Sequence, residues 1–133
     1  KYGLESVGRL RTTITQIRKF VDTETIGYGR AGAANRGEII GIIPIGYADG
    51  LKRSLSNGVG HVWVKGKFAP IVGKVCMDMT MVNLSGIACE EGDEVEIFGE
   101  HISVEDLANK MGTIPYEVLT SVSARVKRMY IKQ

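Results

Sequence analysis

The sequence has no run of eighteen apolar residues, and only two cysteines and two histidines occur in it. Without a long apolar run, no membrane-spanning helix is predicted and no membrane partner is expected. Cys76 and Cys89 are too few for a disulfide framework, and neither histidine stands at metal-ligand spacing from them, so no metal site is predicted. A reducing, cytoplasmic setting is therefore expected.

A large charge imbalance is also missing, because the formal net charge is only +2. Such balance argues against a surface built to bind nucleic acid. At 133 residues, with 44% hydrophobic and 24% charged residues, the chain has the size and composition of one folded domain with its own core. It begins at Lys1 without an initiator methionine, so we expect residues 1–133 to be the C-terminal part of a longer protein.

Strand patterns dominate the sequence. Alternating or continuous apolar residues, bounded by turn signals, predict strands. In residues 7–21 helical spacing competes with a density of β-branched residues, and we favour the strand. The predicted strands cover 7–21, 38–45, 61–64, 68–76, 79–84, 94–98 and 122–131, whereas the Gly-, Ala- and Asn-rich residues 22–37 are predicted to form a loop.

Two short helices are predicted in the last third of the chain. Ser103 followed by Asp106 resembles a capping box, and Gly112 supplies a stop for the helix between them. Pro115 suits the start of a second helix through Leu119, because a missing N–H costs little in the first turn. About seven strands and two short helices predict a mostly β fold, an antiparallel Greek-key-like barrel.

Two tyrosines flanked by glycines are the most informative local feature. Tyr28 lies in Ile-Gly-Tyr-Gly-Arg, and Tyr47 lies in Gly-Tyr-Ala-Asp-Gly. Glycine permits sharp turns and close approach of another molecule, so each phenol is expected to face an open space. The alternatives are a loop tyrosine packed over the barrel rim for Tyr28 and a strand-end tyrosine with a solvated hydroxyl for Tyr47. Asp49 is predicted to bond backbone N–H groups of its own turn.

Five segments carry a resemblance to a known family, and they occur in the family's order. They are 26–30 (IGYGR), 43–50 (IPIGYADG), 69–78 (APIVGKVCMD), 92–95 (GDEV) and 113–117 (TIPYE). The chain resembles, over nearly its whole length, the C-terminal domain of alanine racemase, a pyridoxal-phosphate enzyme that interconverts L- and D-alanine.

The resemblance implies a protein of two domains. An N-terminal α/β barrel, which is absent from residues 1–133, would carry pyridoxal 5'-phosphate on a lysine, and this β-rich domain would complete the site. Enzymes of the family are head-to-tail homodimers, so the C-terminal domain of one subunit closes the active site of the other. The D-alanine they make supplies cell-wall peptidoglycan.

The resemblance also implies roles for four residues. Tyr28 matches the acid/base that works on the face opposite the cofactor's lysine, and Tyr47 matches a tyrosine lining the way into the site. Met77 matches a residue whose backbone N–H holds the substrate carboxylate, although the residues alone favour a core methionine. Tyr116 matches a residue that hydrogen-bonds the cofactor phosphate, which suits a phenol at a helix N-terminus.

Two other functions compete with the racemase domain. Exposed aromatic residues such as Trp63 and Tyr130, together with a basic C-terminal segment, would suit a nucleic-acid-binding barrel of the OB type. A non-catalytic dimerisation module would leave the tyrosines without a chemical role. The balanced charge and the ordered motifs favour the racemase domain over both.

Overall fold

A computed structural model of the chain describes residues 9–19, 24–26, 32–34 and 38–126. Within these residues the strands are β1 (Leu10–Thr13), β2 (Gln16–Lys19), β3 (Glu24–Ile26), β4 (Gly32–Ala34), β5 (Ile39–Ile43), β6 (His61–Val64), β7 (Lys67–Val72), β8 (Thr80–Asn83) and β9 (Glu94–Phe98). The helices are α1 (Val104–Met111) and α2 (Pro115–Val126). None of the described helices is long and apolar enough to span a bilayer.

Seven of the strands form one antiparallel sheet in the order β1-β9-β6-β7-β8-β5-β2. Its two edge strands, β1 and β2, are consecutive in the chain and are separated only by Ile14 and Thr15. The Ile14 N–H donates to Asp93 O at 3.0 Å, on the β9 side, and the Thr15 N–H donates to Ile42 O at 2.8 Å, in β5. One bent segment thus supplies both edges, which curls the sheet into a barrel.

Alternate residues of β6 and β8 fill part of the barrel interior. Val62 and Val64 of β6 are 1% and 0% exposed, and Thr80 and Val82 of β8 are fully buried, as is Leu84 just after it. The alternation predicted for residues 79–84 is therefore confirmed. Burying each Val or Leu side chain contributes about 1.5–3 kcal/mol to folding. The one hydroxyl in this set has a partner, because Thr80 Oγ1 donates to a backbone carbonyl, Ile45 O, at 2.6 Å.

Helix α1 begins and ends as predicted. The Ser103 hydroxyl accepts the Asp106 N–H at 3.0 Å, and Gly112 takes the left-handed conformation, with φ of +75°, just after the last turn. Leu107 and Met111 lie one turn apart, and both are buried against the barrel core.

Four predictions of secondary structure need correction. The predicted strand 68–76 ends at Val72, and residues 73–76 form a loop. The segment 22–37 is not a plain loop, because β3 and β4 pair within it in antiparallel register. The predicted strand 7–21 is two strands with a bend at Ile14, within the described residues 9–19. The predicted strand 122–131 is wrong over 122–126, where α2 continues; Val118, Val122 and Val126 are spaced by four, which suits a helix as well. Residues 127–131 lie outside the described residues.

Candidate functional site

Tyr47 begins a tight turn that follows β5. Residues Tyr47–Asp49 form a single 3-10 turn, which ends at Gly50 with a left-handed φ of +104°. Asp49 is 6% exposed, and its Oδ2 accepts the Gly46 N–H at 3.0 Å. The aspartate therefore has the structural role predicted for it, since it holds the backbone from which the Tyr47 ring leaves.

The turn is hydrogen-bonded to a second loop that carries Met77. The Tyr47 N–H donates to Cys76 O at 2.9 Å, and the Ala48 N–H donates to Met77 O at 3.0 Å. Two further bonds hold the loops together, because Ser56 Oγ accepts the Val75 N–H at 2.8 Å and Gly73 O accepts the Asn57 N–H at 2.8 Å. We call residues 46–57 and 73–77 the loop pair. Tyr47 and Met77, distant in sequence, thus belong to one unit.

The loop pair fixes the direction of the Met77 N–H. No cis peptide occurs among the described residues, so the Cys76 C=O and the Met77 N–H point in opposite directions from their shared peptide plane. Because Cys76 O faces Tyr47, the Met77 N–H faces away from the turn. The described part of the chain offers it no acceptor. The side chain is 48% exposed, so the alternative of a core methionine is wrong.

The Tyr47 ring lies in the wall of an open cavity. The ring is half-buried against the barrel core, and the guanidinium carbon of Arg53 lies 4.7 Å from its centroid. The cavity has a volume of about 590 Å³, and its lining includes Tyr47, Arg53, Met111 and Ser121. The sequence did not predict Arg53 as a residue of the site. Arg53 follows Tyr47 by six residues and two turns, and no sequence pattern indicates that two such side chains are in contact.

Tyr116 lies at the start of α2 and is 67% exposed. Helix α2 packs on the Tyr47–Asp49 turn, so the helix that carries Tyr116 rests on the loop pair. The preceding Thr113 hydroxyl is bonded to the Glu117 carboxylate. An exposed phenol at the positive end of a helix can donate to an anion such as a phosphate.

Cys76 is 5% exposed and lies within the loop pair. Burial raises the pKa of its thiol, and the positive charge of Arg53 opposes that shift. A thiol with a raised pKa is protonated near neutral pH, so it is not a nucleophile.

Tyr28 lies outside the described residues. It stands in the sequence between Ile26 and Gly32, which are paired in the β3–β4 ladder. Its role as an acid/base stays a prediction.

The fold and the loop pair define a small antiparallel β-barrel domain with an open site formed by two connected loops. The family model described as "Alanine racemase, C-terminal domain" matches residues 7–130. The chain therefore belongs to the alanine racemase C-terminal domain family, and the resemblance found in the sequence is confirmed.

Individual relatives agree with this assignment. "Alanine racemase 2" of Caldanaerobacter subterraneus subsp. tengcongensis is 47% identical over 126 residues, which are 91% of this chain and 32% of that protein. The crystal structure of Bacillus anthracis alanine racemase with bound L-Ala-P is 36% identical, with a TM-score of 0.82, over 89% of this chain and 31% of that one. Bartonella henselae alanine racemase with covalently bound pyridoxal phosphate is 34% identical, with a TM-score of 0.80, over 86% and 32%.

The chain spans about a third of the length of these relatives. The comparisons favour neither the nucleic-acid-binding barrel nor the non-catalytic module.

Proposed function

We propose that this chain is the C-terminal domain of a pyridoxal-phosphate-dependent alanine racemase and completes the active site of the partner subunit in a homodimer. The whole protein interconverts L- and D-alanine in the cytoplasm and supplies D-alanine for peptidoglycan. The observation that carries the proposal is the loop pair, in which two backbone hydrogen bonds join the Tyr47 turn to the Met77 loop and the Met77 N–H faces away from that turn. Family membership supports the same conclusion.

Met77 gives the domain a donor for the substrate carboxylate. A backbone N–H that already lies in place loses little entropy when it binds an anion, and hydrogen bonds to a charged acceptor are stronger than neutral ones. The donor is the main chain, so its direction depends on the loop pair rather than on the methionine side chain.

Tyr116 fits the cofactor's phosphate. Its exposed phenol, at the start of an α-helix of twelve residues, is the kind of donor that a phosphate oxygen accepts. When bound, pyridoxal phosphate supplies the electron sink that makes the α-proton of an amino acid removable.

Tyr28 is the proposed acid/base for one face of the substrate. Racemisation needs a proton removed from one face of the α-carbon and another delivered to the opposite face, so it needs two groups. A free tyrosine has a pKa of about 10, so its pKa has to be lowered by neighbouring positive charge before the phenol can accept a proton near neutral pH. The second group is the lysine of the N-terminal domain.

Racemase activity of the whole protein tests the proposal. We expect the full-length protein to convert L-alanine into D-alanine, and residues 1–133 alone to be inactive, because the cofactor's lysine is absent from them. Tyr28→Phe in the full-length protein should lower turnover by roughly 10²–10⁴, the usual contribution of a general acid/base. Full turnover by the Tyr28→Phe variant, or racemisation by the purified domain alone, would contradict the proposal.

A further inference from the structure

The guanidinium of Arg53 is held over the ring of Tyr47 at a distance typical of a cation–π contact. The separation from Cζ to the ring centroid is 4.7 Å, and such contacts extend to about 6 Å. The ring also packs against the barrel core. It therefore has a rigid apolar neighbour and a cationic neighbour at the same time.

The backbone around Arg53 is anchored, so the contact is not an accident of a loose loop. Arg53 begins the 3-10 turn Arg53–Leu55, Leu55 is fully buried, and the Ser56 N–H donates to Arg53 O at 2.9 Å. Ser56 in turn accepts the Val75 N–H through its hydroxyl, which ties this turn to the loop of Met77. The guanidinium thus starts from a fixed point on the loop pair.

No ion pair accounts for the charge of Arg53 in the described part of the chain. The positive charge of Arg53 also acts on the loop that carries Met77. Burial raises the pKa of the Cys76 thiol, and the charge of Arg53 opposes that rise. Cys76 directly precedes the proposed carboxylate donor Met77. The cation therefore lies over the Tyr47 ring and close enough to Cys76 to act on its thiol.

We infer that Arg53 is a positioning residue. Its cation–π contact with the face of the Tyr47 ring fixes the orientation of that ring, and the ring in turn sets the shape of the cavity that leads to the reacting groups. The inference rests on the proposed function. The alternative is a general positive charge at the cavity mouth, which would attract an anionic substrate without any need for the ring. The two explanations differ in their dependence on an aromatic side chain at position 47.

A double-mutant cycle in the full-length protein separates these explanations. An exposed cation–π contact changes a rate or binding constant by about two- to fivefold, so Arg53→Gln should lower kcat/KM by that factor. The effect should persist in a Tyr47→Phe background, which keeps a ring, and vanish in a Tyr47→Leu background. Arg53→Lys, which keeps a cation, should recover part of the loss.

Lys52 provides the matched comparison, because it is an exposed cation that lines the same cavity but is not over the ring. An effect of Lys52→Gln as large as that of Arg53→Gln would overturn the inference in favour of general charge. An undiminished effect of Arg53→Gln in the Tyr47→Leu background would do the same.

A second measurement does not need activity. In the full-length protein with isotope-labelled arginine, the Arg53 side-chain protons should be shifted upfield by the ring current, and the shift should be lost in Tyr47→Leu and kept in Tyr47→Phe. Absence of the shift in the unmodified protein would overturn the inference. A full-length protein that shows the shift but does not racemise alanine would instead refute the proposed function.

Discussion

A methyl group added at Gly46 should push apart the two loops of the loop pair. The Gly46 φ of −149° is extended backbone, which any residue adopts, so an alanine there is not strained by conformation. The cause is steric, because a Cβ at this position would lie 2.1 Å from Cys76 O and 2.5 Å from Met77 O. Both contacts are backbone atoms, which cannot rotate away.

The size of the effect follows from these distances. Ordinary contact between carbon and its neighbours needs about 3.5 Å, so the two loops must move apart by roughly 1–1.4 Å. Overpacking of this kind costs about 1–3 kcal/mol, and each weakened hydrogen bond between the loops costs about 1 kcal/mol more. We expect Gly46→Ala to reduce the free energy of unfolding by about 3 kcal/mol. A displacement of 1 Å at a reacting site can also cost about 10²-fold in rate.

Urea unfolding of residues 1–133 measures the stability effect. The fluorescence of Trp63, the only tryptophan in these residues, follows the unfolding. The racemase assay of the full-length protein measures the loss of rate. Gly86→Ala is the matched control, because its Cβ would meet open space and only the left-handed φ of +80° is strained, at about 1 kcal/mol. If Gly46→Ala costs no more than this control and leaves the rate intact, the steric argument for the loop pair is refuted.

Three further predictions concern the helices and the barrel. Burial, and to a lesser extent the charge of Lys110, lower the pKa of His61 in the folded protein. The unfolded chain therefore binds more protons than the folded one just below pH 6.5, and the free energy of unfolding should fall as the pH drops below that value. His61→Gln should make the urea midpoint depend less on pH between about pH 5 and 7. Ser103→Ala removes the acceptor for the Asp106 N–H and should cost about 1 kcal/mol in the same unfolding experiment, with no loss expected from Ser103→Asp. Tyr116→Phe should weaken retention of pyridoxal phosphate by the full-length protein, measured by absorbance after dialysis; unchanged retention would remove the phosphate role.

Local patterns in the sequence were sufficient to predict most of the strands of the barrel. The alternation of residues 79–84 and the Ser103 cap are encoded within a few residues of one another, and both are confirmed. The closure of the barrel could not be predicted in the same way. The bend at Ile14 is defined by bonds to Asp93 and to a β5 carbonyl, and no local pattern reveals such distant partners.

In the candidate site, too, only the features that depend on neighbouring residues could be predicted from the sequence. The glycines around Tyr47 indicated close backbone approach, and the structure gives Gly46 that role. The direction of the Met77 N–H depends on backbone hydrogen bonds between two loops, which leave almost no trace in side-chain identity. Arg53 was missed for a related reason, because its contact with the ring depends on two successive tight turns.

Exchange of the α-proton in D₂O by the full-length Tyr28→Phe variant tests the central claim most directly. If Tyr28 serves one face only, the variant should still incorporate deuterium into D-alanine with retention of configuration, because the lysine on the other face is intact. Incorporation into L-alanine should fall by roughly 10²–10⁴ relative to the unmodified protein. Equal slowing of exchange from both enantiomers would contradict the account.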